Sequence, residues 1–223
     1  MTFRFTSASF LQHFAWLPLR IFGWLFLDLK IYGIENVKKV GNQVIFAGNH
    51  ASELDPLMIV ACLPFFSPLL PLTFVSRTKD FYTMTPRGFM YGGLFFRLMG
   101  AYPAYKGTGD YADAFRHHLT RIKRGSSVCI YPVGRFHEPT ESAEARGGVS
   151  YLASTTGLPV IPVRITGVSH TYSTLSYLMR KRHMTIHFGS PLHIQDVKSK
   201  DRKKCDIYYR KKAKEIMDQI AKM

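Results

Sequence analysis

Acidic residues are scarce in this chain, and cysteines scarcer still. Its 223 residues hold 15 Asp and Glu against 30 Lys and Arg, a formal charge of +15. A surface this short of negative charge attracts polyanions, whether nucleic acid, anionic lipid or phosphorylated metabolites, and charge alone does not choose among them. The three cysteines, Cys62, Cys129 and Cys205, are widely spaced and odd in number. That argues against a disulfide framework and suits a reducing, cytosolic compartment.

A long uninterrupted apolar run is missing too. A spanning helix wants about 20 mostly apolar residues with few charges. FLQHFAWLPLRIFGWLFLDL (residues 10–29) is dense in Phe, Leu and Trp, but Gln12, His13, Arg20 and Asp28 interrupt it, and Pro18 bends or starts a helix. No A-x-A-like cleavage site follows. Three readings stand: a helix lying in a membrane face, an amphipathic cap on a soluble core, and a spanning helix. The first fits the interruptions best.

Other absences narrow the chemistry. No G-x-S-x-G elbow frames a serine, no cysteine is suitably placed as a nucleophile, and the nine histidines contain no H-E-x-x-H. His117-His118 and the pair His183 and His187 read as chance placements rather than metal ligands. Neither an RNP-like stretch nor a basic-aromatic array appears, so nucleic acid is not the expected partner. There is no internal repeat and no linker.

What is present is an alternation of strand-like and helix-like pieces. IYGIENV (31–37) reads as a strand, VGNQ (40–43) as a turn and VIFAGN (44–49) as a buried strand. DPLMIVACL (55–63) starts a helix, with Asp55 as N-cap and Pro56 at the first helical position. PLTFVSR (71–77) is a strand, and PRGFMYGGLFFRLMGAYPAYKG (86–107) is rich in glycine and aromatics. DYADAFRHHLTRIKRG (110–125) has helical spacing at Tyr111, Phe115, Leu119 and Ile122 and closes on glycine. SVCIYPVG (127–134), PVIPVRITG (159–167) and MTIHFGSPL (184–192) are strands, and GGVSYLASTTG (147–157) is a short helix. The last segment, 198–223, sets Tyr209, Ala213, Ile216, Met217 and Ile220 on one helical face. Its lysines form either a membrane-facing stripe or a solvated face. At a hydrophobic fraction of 46%, this is a folded α/β chain with helices covering the faces of a sheet.

The most informative stretch is VIFAGNHASELDPLMIV (44–60). His50 and Asp55 are five residues apart, about 140° around a helix axis, so they are not a pair on one helix. If the helix starts at Asp55-Pro56, His50 lies in the loop ahead of it and can fold back toward the carboxylate. A carboxylate there fixes the ring tautomer and supports the imidazolium that forms when the other nitrogen takes a proton. The spacing equally admits Asp55 as a plain N-cap and His50 as a polar loop residue.

NHASELDP (49–56) resembles the N-H-x-x-x-x-D motif of the glycerolipid acyltransferases, the 1-acylglycerol-3-phosphate acyltransferase-like family. Further blocks follow in the family's order. TFVSRTKDF (73–81) and GAYPAYKG (100–107) are similar to the next two segments, with Lys106 where arginine is usual. CIYPVGRFHE (129–138) aligns with a block normally F-P-E-G-T-R, and LPVIPVRITG (158–167) with a proline-containing one at Pro162. The resemblance runs over residues 32–192. One block departs from the pattern: Val133 replaces glutamate, and Arg135-Phe136 replaces the T-R pair whose arginine, in the family, contacts the acceptor's phosphate.

The resemblance implies a mixed, mostly parallel twisted β-sheet flanked by helices. With the residue reading of both ends, the chain divides into an N-terminal membrane-associating helix (1–30) and an acyltransferase domain with a basic C-terminal helix (31–223). The resemblance implies direct acyl transfer from acyl-CoA or acyl-carrier protein to a lysophospholipid hydroxyl, with His50 as base and Asp55 orienting it, and with no metal or cofactor. Arg77, Lys106, Gly134 and Arg135 are its candidate substrate-binding residues, with Glu138 or Glu141 as possible stand-ins for the lost glutamate. Backbone N–H groups near Gly134, or in the loop at His50, are its candidate oxyanion donors. An anionic bilayer on the cytoplasmic side would draw the basic surface, and the aromatic stretch 81–102 either walls an acyl channel or is plain core. A relative that binds without turnover is the rival reading, favoured by Val133.

Overall fold

Alternation along the central strands decides which side of the sheet each side chain serves. The computed structural model describes residues 6–76, 94–105, 110–136, 144–169, 182–197, 199 and 201–223. Strand β2 (Ile45–Gly48) sends Phe46 to one face and Ile45 and Ala47 to the other. Strand β5 (Ser127–Ile130) does the same with Cys129 against Val128 and Ile130. Both strands are buried along their whole length, as strands covered on both faces must be.

These strands lie in a seven-stranded sheet of order β1-β7-β6-β2-β5-β3-β4. Its other members are β1 (Lys30–Tyr32), β3 (Leu72–Ser76), β4 (Ala101–Pro103), β6 (Val160–Thr166) and β7 (Thr185–Phe188). Five strands, β6, β2, β5, β3 and β4, run parallel, while β7 pairs antiparallel with β6 and carries β1 parallel beside it. The sheet is therefore mixed and mostly parallel, as expected.

Helices α1 (Ser7–Leu27) and α3 (Asp55–Cys62) cover one face. The other is covered by α6 (Arg116–Lys123), α7 (Gly148–Thr156) and α8 (Arg202–Lys222). The short helices α2 (Ile34–Lys38), α4 (Leu94–Leu98) and α5 (Tyr111–Ala114) complete the described set. Helix α8 buries Tyr209, Ala213, Ile216 and Ile220, the stripe its spacing predicts, with Met217 partly buried beside it.

Three local readings change. IYGIENV is not one strand: β1 stops at Tyr32 and α2 begins at Ile34. Gly33 between them has φ +69°, and a Cβ there would collide with the Phe188 carbonyl oxygen, so the chain turns where only glycine fits. The 110–125 segment is two helices, α5 and α6, separated at Phe115, which has left helical geometry. Asp55 is the first residue of α3, not its N-cap, which is Leu54.

Helix α1 is capped by Thr6 and runs through Pro18 to Leu27. Its inner side is unusually polar for a packed helix. Gln12 is fully buried; its amide donates to the Leu72 and Met99 carbonyls, and its Oε1 accepts from Leu72 N–H, all at 2.8 Å. Trp16 and Arg20 donate to the Leu63 and Ala61 carbonyls at the C-terminal end of α3. Two of the residues that interrupt the apolar run, Gln12 and Arg20, thus help to fasten α1 to the domain. No helix among the described residues is long and apolar enough to cross a membrane. The outer side of α1 exposes Phe10, Phe14, Leu17, Ile21, Trp24 and Leu25. The basic outer surface of α8 lies across the sheet from it, so one flat surface does not meet both.

Burial also sets three titrations. Cys62 and Cys129 are buried, which pushes both thiols up to about 12. His118 on α6 is fully buried beside the backbone of Phe74 and Tyr102 without a well-formed hydrogen bond at either ring nitrogen. Burial, helped by the neighbouring His117, pushes it from 6.5 down to about 4. An unfolded imidazole binds a proton in that interval and the folded one does not, so stability falls as pH falls from 6.5 to 4. Thermal melts across this window should show a steeper acid loss in the wild type than in His118→Leu. Equal slopes would mean that His118 is not a source of it.

Candidate active site

β2 and β5 are neighbours whose chains leave to opposite faces, β2 through α3 and β5 through α7. In an open parallel sheet, the divergence of two such connections leaves a crevice beyond the carboxyl ends of the strands. Asn49-His50 ends β2, and residues 131–136 end β5, so the two segments meet at that crevice.

Asn49 fixes how the chain leaves β2. It is fully buried; its Nδ2 donates to the Ile165 carbonyl at 2.8 Å, and its Oδ1 accepts from Ile165 N–H at 2.7 Å. The side-chain amide thus continues the β2–β6 ladder one step past Gly48, while the backbone turns away toward His50.

The turn is held by Asp55, which is fully buried. Its Oδ2 accepts from Ala51 N–H (2.7 Å), Ser52 N–H (2.9 Å) and His50 Nδ1 (3.0 Å), and its Oδ1 accepts from the Ser52 hydroxyl (2.6 Å). A carboxylate surrounded by donors is an acceptor only, so Nδ1 carries the imidazole proton. That leaves Nε2 as the basic nitrogen, on a side chain 20% exposed. Asp55 thus holds the histidine and also organises the loop amides ahead of α3, a different job from the plain N-cap that its spacing admitted.

The β5 segment closes over the ring. His50 stacks on Tyr131 with centroids 4.1 Å apart and planes 12° from parallel, and Phe136 stands 4.4 Å away at 48°. Phe136 occupies the place of the family's arginine, so a ring meets the imidazole where a cation was expected. Val133 is buried and brings no charge to the turn. Gly134 has φ +70° and donates its N–H to the Tyr131 carbonyl at 2.9 Å. That amide and those of Ala51 and Ser52 are therefore already engaged, which removes three of the candidate oxyanion donors. Tyr131 is buried beside the Cys129 thiol, and burial raises its phenol well above 10, so it stays protonated.

Of the other sequence candidates, Arg135 is exposed on the Gly134 turn. Arg77, Lys106, Glu138 and Glu141, and residues 81–93 of the aromatic stretch, lie outside the described residues. Sequence reasoning missed Arg146, whose guanidinium carbon lies 3.8 Å from where a Gly134 Cβ would stand. Its only signal was its place just before two glycines that start a helix. Among the described residues no group of His, Cys, Asp and Glu has metal-binding geometry.

Asp55→Ala orphans four donors in a buried loop and should cost about 2–4 kcal/mol in urea unfolding. His50→Ala removes one half-buried partner and should cost under about 1 kcal/mol. Equal losses would contradict the carboxylate's role as organiser of the loop.

A family model described as Acyltransferase matches residues 28–166, more than half of the chain. The chain is 24% identical over 170 residues to a 1-acyl-sn-glycerol-3-phosphate acyltransferase of Streptococcus pneumoniae, covering 73% of this chain and 56% of that one. It is 22% identical over 160 residues to a chloroplastic 1-acyl-sn-glycerol-3-phosphate acyltransferase of Brassica napus, covering 71% and 42%. The chain thus spans about half the length of the curated relatives it matches. Among solved structures, the 1-acyl-sn-glycerophosphate acyltransferase PlsC of Thermotoga maritima shares the fold, with TM-score 0.56 at 19% identity over 92% of this chain and 81% of that one.

Proposed function

Because the chain belongs to the acyltransferase family, we propose that it moves a fatty acyl group from a thioester donor, acyl-CoA or acyl-carrier protein, to the hydroxyl of a lysophosphatidate-type acceptor. The observation that carries this reading is the His50–Asp55 contact of 3.0 Å at the mouth of the β2–β5 crevice. The curated relatives are named as 1-acyl-sn-glycerol-3-phosphate acyltransferases, which supports the acceptor class.

In this mechanism His50 Nε2 takes the acceptor's hydroxyl proton while the oxygen attacks the thioester carbonyl. Asp55 stays ionised and balances the imidazolium through Nδ1–H. The tetrahedral intermediate then collapses, the C–S bond breaks, and the imidazolium returns the proton to the leaving thiolate, giving an ester and a free thiol. The step passes from substrate to substrate with no cofactor. Stacking on Tyr131 and Phe136 limits how far the imidazole can swing, which keeps Nε2 aimed.

The place of action in this proposal is a bilayer surface on the cytoplasmic side. Phe10, Phe14, Leu17, Ile21 and Trp24 recur every three or four residues on the outer side of α1, with Trp24 72% exposed. An apolar stripe of this kind on an interfacial helix supports burial among acyl chains, and the net positive charge favours anionic lipid. A relative that binds its ligands without turnover is the second reading, favoured by Val133 and Phe136 in the block after β5.

Thiol release from acyl-CoA and acyl-carrier protein, with and without lysophosphatidate, tests the chemistry. His50→Ala should lower acceptor-dependent release by ~10²–10⁴-fold while its far-UV spectrum is kept. Normal turnover in that variant would rule out the dyad, and silence of the wild type on every acceptor would favour the binding relative. Co-sedimentation tests the surface. The double variant Phe14→Ser/Trp24→Ser should leave phosphatidylglycerol vesicles that the wild type binds, and undiminished binding would refute the α1 face as the contact.

A further inference from the structure

The turn after β5 carries a cation that lies outside every motif block of the sequence. Arg146 stands near the end of the β5–α7 connection, yet its backbone N–H donates to the Pro132 carbonyl at 2.9 Å and brings it back against the turn. Its Cζ and Nη1 lie 3.8 Å, and its Nε 3.9 Å, from where a Gly134 Cβ would project. The guanidinium therefore lies alongside the Gly134 turn, within van der Waals reach of it.

That guanidinium meets no acid, carbonyl or ring among the described residues. The nearest acid before it in sequence, Glu144, is drawn away by Arg210 of α8 at 2.8 Å. Arg146 is exposed, so its charge is not held by burial either. Meanwhile the same connection has put Phe136 against the His50 ring, in the position where the resembling family carries its phosphate-contacting arginine. One end of the segment has gained a ring that clamps the base, and the other holds an unpaired cation.

Resting on the acyl-transfer reading, we infer that Arg146 forms, beside the Gly134 turn, a site for a phosphomonoester: the phosphate of a singly acylated glycerol phosphate acceptor. A guanidinium presents parallel N–H donors that match two phosphate oxygens at once, which fixes orientation as well as charge. The acceptor is then held at its phosphate by Arg146 while its hydroxyl lies at His50, on the neighbouring strand end. Phe136 has no charge to offer a phosphate, and Arg146 brings one from the far end of the same connection. This chain thereby keeps a phosphate-bearing acceptor despite the altered block.

The test uses the full chain with lysophosphatidate and with a monoacylglycerol of the same acyl chain, which lacks the phosphate. Binding of glycerol 3-phosphate and of inorganic phosphate is followed in parallel by calorimetry. Arg146→Gln should raise KM for lysophosphatidate at least ~10-fold with kcat nearly unchanged, since it removes the charge and the paired N–H donors that the phosphate accepts from. The monoacylglycerol reaction should not change, glycerol 3-phosphate binding should vanish, and Arg146→Lys should recover part of both losses. An unchanged KM in Arg146→Gln, an equal loss with monoacylglycerol, or the whole effect appearing in Arg135→Gln instead would overturn the site. Inorganic phosphate bound as well as glycerol 3-phosphate would overturn its assignment to the acceptor. If the wild type transfers to neither acceptor, the acyl-transfer reading fails by itself. In that case, Arg146-dependent binding of glycerol 3-phosphate would still uphold the site, and its absence would remove it.

Discussion

A carboxylate taken wholly out of water must have its charge answered by donors, and in this protein the four answers to Asp55 build the site. Two loop amides, one hydroxyl and one imidazole converge on it within 3.0 Å. Each donor comes from residues 50–52, so satisfying the charge forces the chain to curl between β2 and α3. The histidine's geometry follows from that curl rather than from any property of the histidine. The same interaction starts α3, whose first turn contains the carboxylate, and α3 in turn supplies the surface on which α1 lies.

Around this hub, polar side chains stand in for backbone at each place where the regular pattern stops. Asn49 extends the β2–β6 ladder where the backbone has turned off. Gln12 pairs with the backbone of Leu72 and Met99 where α1 crosses the entry to β3. A buried peptide group left without a partner costs about 1–3 kcal/mol, so these amides are structural requirements of the fold and not surface decoration. They also explain why an apolar N-terminal segment carries Gln12 on its inner side while Phe10, Phe14 and Trp24 face outward.

The block after β5 illustrates how a motif position can change its job while the turn stays in place. Gly134 keeps the left-handed residue and the bond back to Tyr131, so the connection retains its course. The residues carried on that course have changed: a buried valine for a carboxylate, and a ring against His50 for a guanidinium. Backbone geometry is fixed by glycine and hydrogen bonds, whereas the side chains it presents are free to vary as long as the crevice still works.

The alternation of strands and helices, and hence a sheet with helices on its faces, follows from local information, whereas its mixed and mostly parallel character was implied only by the family resemblance. The unbroken apolar runs of VIFAG and SVCI, glycine at helix ends and the 3.6-residue stripe of 209–220 are all set within a few residues of chain. The boundaries at Gly33 and Phe115 escape a local reading. At Gly33 a distant group decides: the Phe188 carbonyl lies 155 residues further along the chain and leaves no room for a Cβ. The site divides in the same way. His50 and Asp55 are five residues apart, so a loop and a helix start suffice to suggest that they meet. Tyr131 and Phe136 on the imidazole, and Arg146 on Gly134, are contacts between segments that only the tertiary fold brings together. Sequence by itself determined which residues carry reactive groups and which way local elements run. Tertiary structure alone decided which of those groups share one crevice, because strand order is a property of the whole sheet and is written in no single segment.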